Sequence, residues 1–325
     1  HLCSLRERIR VQGQAIPVKY IGEFIEKYKY EIDDIGASFF EAMTVMAAWY
    51  FKNQKVDYAI METGLGGRHD SVTACNSKIQ AFTPISIDHT QILGPTLLDI
   101  AKEKIEAISK KSKIFSAKQS FLVEKLIREK CDEKQAKYVA VKETNNISLN
   151  LKGEHQKENA SLAISIGKNL LNDLRPNEVK NALKKIIWPG RNQILAKKPD
   201  IIFDVAHNHS GFKSFIKYIS FNREKTYKRK VLLLSLQKNK DTEKIGPMIN
   251  DVFDMIYYTK TCPKKSMDFE KIKKNIPIAN ELKLPDKAIE KAVKNLNDGD
   301  MMAILGTHFW GKYVKSFFNI CFDNI

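Results

Sequence analysis

A carboxylate running straight into a glycine cluster is the first place where chemistry can be read in this chain. Residues 62–70 are ETGLGGRHD, and the apolar VDYAIM (56–61) precedes them. Gly64, Gly66 and Gly67 permit backbone conformations and close approaches denied to other residues, so they can hold a turn against a ligand while Glu62 points into a crevice. The cluster is not a dinucleotide fingerprint, because G-x-G-x-x-G would need glycine where His69 stands. Read alone, ETGLGGR is equally a plain tight turn. Farther on, IDHTQILGP (87–95) offers Asp88 and His89. Glu62 and His89 are candidate metal ligands, and a hard cation such as magnesium suits the carboxylate better than the imidazole. A lone histidine after a strand is also an ordinary hydrogen-bonding group, and Lys104, one helix later, is by default a solvated surface lysine.

Two more constellations lie beyond. FDVAHN (203–208) ends an apolar run with Asp204, His207 and Asn208, which can converge on a ligand or simply make an Asx-type turn that caps the next helix. Arg191, in WPGR (188–191), can pair with a phosphate or salt-bridge two domains. GTHFWGKY (306–313) has the G-x-x-x-x-G-K spacing of a phosphate loop, but Tyr313 stands where a magnesium-binding hydroxyl belongs and Phe309-Trp310 crowd the loop, so it reads as a decoy.

The elements that must position these residues alternate. SFFEAMTVMAAWYF (38–51) is apolar on nearly every face and reads as a well-buried helix, DYAIME (57–62) as a buried strand, IQAFTPIS (79–86) as a second strand, and TLLDIAKEKIEAISKK (96–111) as a helix. Helices HQKENASLAISIGKNLL (155–171) and PNEVKNALKKII (176–187) follow, and Pro189-Gly190 break the pattern. Past the break, IIFDVA (201–206), KVLLLSL (230–236), DMIYYT (254–259) and DMMAIL (300–305) read as strands between helices. Strand–helix alternation means an α/β fold with parallel sheets, whose ligands lie beyond the carboxyl ends of the strands. The expectation is two domains, 1–188 and a smaller α/β domain over 191–325.

Composition bounds the partners. The 325 residues are 43% hydrophobic, enough for a large core, and carry a formal net charge of +16. That charge suits nucleic acid, an anionic membrane or a polyanionic small substrate; no nucleic-acid module accompanies it, and stretches such as KNALKK (180–185) read as solvated helix faces. The five cysteines are widely spaced with no C-x-x-C pair, so reduced thiols and no zinc site are expected. No apolar run approaches the roughly 20 residues of a membrane span, and the expected location is the cytoplasm. The chain opens at HLCSLRERIRVQG as if inside a structured segment, which points to N-terminal sequence missing from it.

The order of these motifs resembles the folylpolyglutamate synthase and dihydrofolate synthase family within the Mur ligase superfamily: HLCSLRERI is similar to that family's SPHL…ERI loop, and ETGLGGR, ISIDHTQILG, IAKEK, GEHQKENASLA, WPGR and FDVAHN follow in the family's order. The resemblance implies a Mur-ligase-like parallel-sheet ATP-binding domain followed by a Rossmann-like glutamate ligase domain. It implies an ATP- and Mg2+-dependent amide ligase that joins L-glutamate to dihydropteroate or folate through an acyl phosphate, acting as a monomer with no nucleic-acid or membrane partner. By the same resemblance Glu62 and His89 hold magnesium and Lys104 is carbamylated to give a further oxygen ligand; His155 and Asn159 contact the adenine end of ATP, and Arg191 its phosphates. Asp204 lies near the nucleotide, His207 near the incoming glutamate, and Thr307 stands where the family has a substrate-binding serine. Departures are Ile105-Glu106 where Ala-Gly is usual, His209 in place of proline, and no glycine-rich phosphate loop ahead of HLCSLRERI. That last departure leaves open a chain inactive as written, or a natural non-catalytic folate-binding homologue; a Mur-type cell-wall ligase is the third reading.

Overall fold

The computed structural model describes residues 1–144, 147–221 and 226–325. They form two compact units, one of Ile9–Ser148 with Lys157–Leu183, the other of His1–Arg8, Leu149–Gln156 and Lys184–Ile325.

The first unit opens with a two-stranded antiparallel ribbon, β1 (Arg10–Val11) and β2 (Gln14–Ala15). Helices α1 (Val18–Asp34) and α2 (Phe39–Asn53) follow. Ser38 starts α2 through a capping box, its Oγ accepting from the Glu41 N–H while the Glu41 carboxylate accepts from the Ser38 N–H. Met43, Met46, Ala47 and Tyr50 pack with Phe24, but Phe39, Phe40 and Val45 are exposed, so α2 buries one stripe rather than all faces. Next come β3 (Ile79–Phe82), the single turn α3 (Thr90–Leu93), α4 (Leu97–Ile105), β4 (Lys113–Ser116), α5 (Phe121–Glu133), β5 (Lys137–Ala140), α6 (His155–Leu170) and α7 (Pro176–Lys185). The sheet is parallel, ordered β3-β4-β5, and α4 and α5 share an apolar core with Ile114 of β4.

DYAIME is not the buried strand its apolar run predicts. Residues 57–62 form no strand, and Ile60 is 93% exposed. A strand exists only through a laddered neighbour, and among the described residues none pairs with this stretch.

The second unit holds β6 (Gln193–Ala196), β7 (Asp200–Phe203), α8 (His209–Phe221), β8 (Lys230–Leu234), α9 (Thr242–Asn250), β9 (Met255–Tyr258), α10 (Phe269–Asn275), β10 (Ala279–Glu281), α11 (Pro285–Lys294), β11 (Met301–Leu305) and α12 (Gly311–Phe318). Six strands run in the order β10-β9-β8-β11-β7-β6, all parallel except β6, which is antiparallel to β7. Leu232, Leu234, Met301, Ala303 and Leu305 enter one core, Val231, Leu233, Met302 and Ile304 the other, which is the two-residue period of strands covered on both faces.

A single cut at WPGR does not describe these units, because two distant segments are stapled into the second. Leu2 packs so tightly under Gly311 that a Cβ there would stand 2.5 Å from the Leu2 Cβ. The buried Glu7 carboxylate ties this segment by accepting from the N–H groups of Leu2, Cys3 and Ser4. Asn150 Nδ2 donates to the Ile186 carbonyl, and Asn192 Nδ2 to that of Lys152. No helix among the described residues is long and apolar enough to cross a membrane.

Candidate functional site

The carboxyl ends of β7 and β11 sit side by side in the second unit, Phe203 opposite Ile304, and the Asp204 N–H donates to the Ile304 carbonyl. Asp204 is therefore carried at a strand end, where it is only 7% exposed. Its Oδ2 accepts from the Asn192 N–H at 2.8 Å and its Oδ1 from the Ala206 N–H at 2.7 Å. Burial pushes its carboxyl above the usual range, and these N–H groups and the Arg191 guanidinium pull the other way. The surrounding protein, and then the Arg191 charge, lower the proton affinity of His155. Arg191 thus links an acid and an imidazole in one unit, with its own guanidinium facing solvent. An exposed guanidinium next to a buried, hydrogen-bonded carboxylate is a chemistry for holding an anion.

His207 follows on the same strand exit. Its Nδ1 lies 2.9 Å from the Val205 carbonyl, which can only accept, so Nδ1 carries the proton and Nε2 the lone pair. Asn208 Oδ1 accepts from the Gly211 N–H at 2.8 Å, so Asn208 does cap α8. On the neighbouring strand Thr307 is buried and its Oγ1 accepts from the Phe309 N–H. GTHFWGKY is not a phosphate cradle: Trp310 is fully buried with its indole N–H on the Leu305 carbonyl, and a Cβ on Gly306 would stand 2.1 Å from the Ser235 carbonyl oxygen.

In the first unit the glycine loop is docked on the end of α4. The Arg68 N–H donates to the Glu103 carbonyl, and its guanidinium reaches the carboxylates of Glu103 at 3.3 Å and Glu106 at 3.8 Å. A Cβ on Gly67 would lie 2.6 Å from the Lys104 carbonyl oxygen and 2.7 Å from that of Glu103, so the close approach requires glycine. Asp70 shapes the loop, its Oδ2 accepting from the N–H groups of Gly64 and Leu65 and its Oδ1 from that of Val72. The loop therefore abuts the helix turn that carries Lys104, which is half-buried, while Glu62 and His89 are exposed. Among the described residues no three His, Cys, Asp or Glu side chains are grouped as a metal site. Glu62 offers the carboxylate oxygen that a hard divalent cation prefers, and Glu62 and His89 are each exposed to water.

The structure places Asp204, Arg191 and His155 in one unit, sets His207 and Thr307 on adjoining strand ends, and keeps Glu62, His89 and Lys104 in the other unit with Asn159. Sequence reasoning missed Asp70 and Asn192, whose roles are bonds to main chain that no motif displays. It also passed over His308, whose ring lies 5.3 Å from that of His1.

Comparisons with known proteins show what the chain is similar to. Residues 190–308 match the Mur ligase, glutamate ligase domain. The dihydrofolate synthase/folylpolyglutamate synthase of Escherichia coli strain K12 is 30% identical over 225 residues, which covers 64% of this chain and 53% of the relative, so the chain spans about half the length of that curated protein. A Mycobacterium tuberculosis folylpolyglutamate synthase complexed with ADP and AMPPCP superposes with a TM-score of 0.88 at 24% identity, over 99% of this chain and 84% of that one. A bifunctional folylpolyglutamate synthase/dihydrofolate synthase with Mn, AMPPNP and L-glutamate bound gives 0.88 at 21% identity, over 98% and 81%. At these identities the solved structures establish the fold, an α/β architecture with parallel sheets.

Proposed function

We propose that the chain is a member of the folylpolyglutamate synthase and dihydrofolate synthase family of Mur ligases and an ATP-dependent ligase adding L-glutamate to dihydropteroate or to a folate. The observation that carries this reading is the buried Asp204 carboxylate at the end of β7, which accepts from the N–H of Asn192 next to Arg191, inside the unit that holds the residues matched to the glutamate ligase domain. In the reaction a carboxylate oxygen of the pteroate or folate attacks the γ-phosphorus of ATP, the bond to ADP breaks, and an acyl phosphate forms. The glutamate amine then adds to the acyl carbon, gives up a proton, and phosphate leaves as the amide closes.

Each residue has a part in that sequence. Arg191 offsets charge on the phosphate oxygens, and His155 and Asn159 hold the base. Asp204 keeps the main chain of Asn192 and Ala206 in place beside the nucleotide. His207, its Nδ1–H anchored on Val205, presents Nε2 to take the amine proton. The Thr307 hydroxyl donates to a glutamate carboxylate. Glu62 and His89, with Lys104 as its carbamate, are the residues to hold Mg2+, which when bound neutralises phosphoryl charge. The chain acts as a monomer in this reading, with no nucleic acid.

The test is ADP release by the intact gene product, given ATP, Mg2+, glutamate and dihydropteroate or folate. Release should require glutamate, Arg191→Ala should lower kcat/KM by about a hundredfold, and Glu62→Lys should abolish it. Release indifferent to glutamate sinks the ligase reading, and unchanged release in Glu62→Lys sinks the site.

A further inference from the structure

His155 is held from three sides, and one of its supports is a residue to which no motif points. Ser214 Oγ lies 2.8 Å from His155 Nδ1, and Gln156 Nε2 lies 3.1 Å from His155 Nε2. With the Gln156 amide nitrogen as donor, Nε2 must accept, so Nδ1 carries the proton and donates to Ser214 Oγ. The third support is main chain. Gly153 has φ +110, and a Cβ there would stand 2.7 Å from His155 Cε1 and 3.0 Å from its Nδ1, so the backbone closes on the ring edge. Asn192 fastens that backbone through Nδ2 to the Lys152 carbonyl, while its own N–H sits on Asp204.

Ser214 is half-buried in the second turn of α8, the helix that Asn208 caps directly after His207. All these residues belong to one unit, so the support is intrinsic to it. We propose that Ser214 is a positioning residue of the nucleotide site, fixing His155 as the neutral Nδ1–H tautomer and aiming its ring at the base of ATP. The proposal rests on the ligase reading for its ligand. It also gives α8 two roles, since the helix that starts at the His207 loop carries the support for His155 one turn later.

The tautomer is read by nitrogen NMR of the imidazoles in the ligand-free protein, the His155 signal being assigned by its loss in His155→Gln. In parallel, KM for ATP and kcat are measured, with the Kd for ADP from calorimetry. In Ser214→Ala the Nδ1–H signal should give way to mixed tautomers, with KM and Kd raised about three- to tenfold and kcat less affected, as loss of one hydrogen bond implies. Ser214→Thr, which keeps the hydroxyl, should restore all of them. An unchanged His155 signal, or an unchanged ADP affinity in Ser214→Ala, overturns the proposal. Wild-type protein that binds ADP but shows no glutamate-dependent ADP release overturns the ligase reading alone and leaves the Ser214 result standing.

Discussion

His308 is an imidazole that its surroundings keep neutral. Burial first, and then positive charges around it, Arg8 and Lys265 among them, push its pKa down to about 4. An unfolded histidine titrates near about 6.5. Between those values the unfolded chain binds the extra proton and the folded one does not, so stability is lost as pH falls through that window and is unaffected above it. His308→Gln removes the titrating group and leaves a side chain of similar size. Relative to the variant, the wild type should lose about 1–3 kcal/mol between roughly pH 6.5 and 4, allowing for the ring's partial solvent exposure. Denaturant unfolding at stepped pH checks this, and parallel pH profiles for the two proteins would refute it.

The loop at 62–70 shows how one element sets the length of another. The apolar periodicity of residues 96–111 predicts a helix to Lys111, yet α4 stops at Ile105. The Glu103 carbonyl, which a longer helix would give to the Ala107 N–H, accepts from the Arg68 N–H instead, and the Ala107 N–H turns to the Lys104 carbonyl. Gly67 makes this docking possible. Gly67→Ala should therefore cost about 1–3 kcal/mol as an overpacked contact and lower activity by displacing the Lys104 turn. Gly66→Ala, where φ is +68 and the near neighbour is a flexible Leu93 side chain at 3.1 Å, should cost only about 1 kcal/mol. Equal losses in thermal unfolding and activity would mean that close approach is not the reason for glycine at 67.

The same loop marks how far the sequence was legible. Parallel strand–helix alternation and the strands β7, β8, β9 and β11 were readable from buried apolar runs, and so was the polar cluster after FDV. The strands β4 and β5 were not, because each opens on a lysine inside a charged, lysine-rich stretch, KKSKIFS (110–116) and EKQAKYVA (133–140), that reads as surface. DYAIME misled for the opposite reason: its composition is that of a strand, but a ladder partner is a property of another segment. Asn192 was invisible because its function lies in bonds to Lys152 and Asp204, 40 and 12 residues away.

At the scale of the whole molecule, 54 lysines and arginines against 38 acidic residues leave a charge of +16 that no single contact explains. Many of the cations are spent locally: Arg68 on Glu103, Lys130 on Glu106 and Glu133, Arg229 on Asp300, Lys294 on Glu290. The surplus therefore acts as a diffuse field, which attracts anions of any kind and confers no selectivity. If the chain is the proposed ligase, whose nucleotide, folate and glutamate are all anionic, that field concentrates substrate at the surface without taking part in the chemistry. It is screened over about 10 Å at 0.1 M salt and about 3 Å at 1 M, whereas the contacts of Asp204 at 2.8 and 2.7 Å and of His207 at 2.9 Å are shorter than either length. Raising salt from roughly 0.05 to 0.5 M should then increase KM for ATP several-fold and leave kcat nearly constant. A kcat that falls in step with 1/KM would place the salt-sensitive charges within the reacting site itself, and a KM indifferent to salt would show that the surplus charge has no bearing on substrate capture.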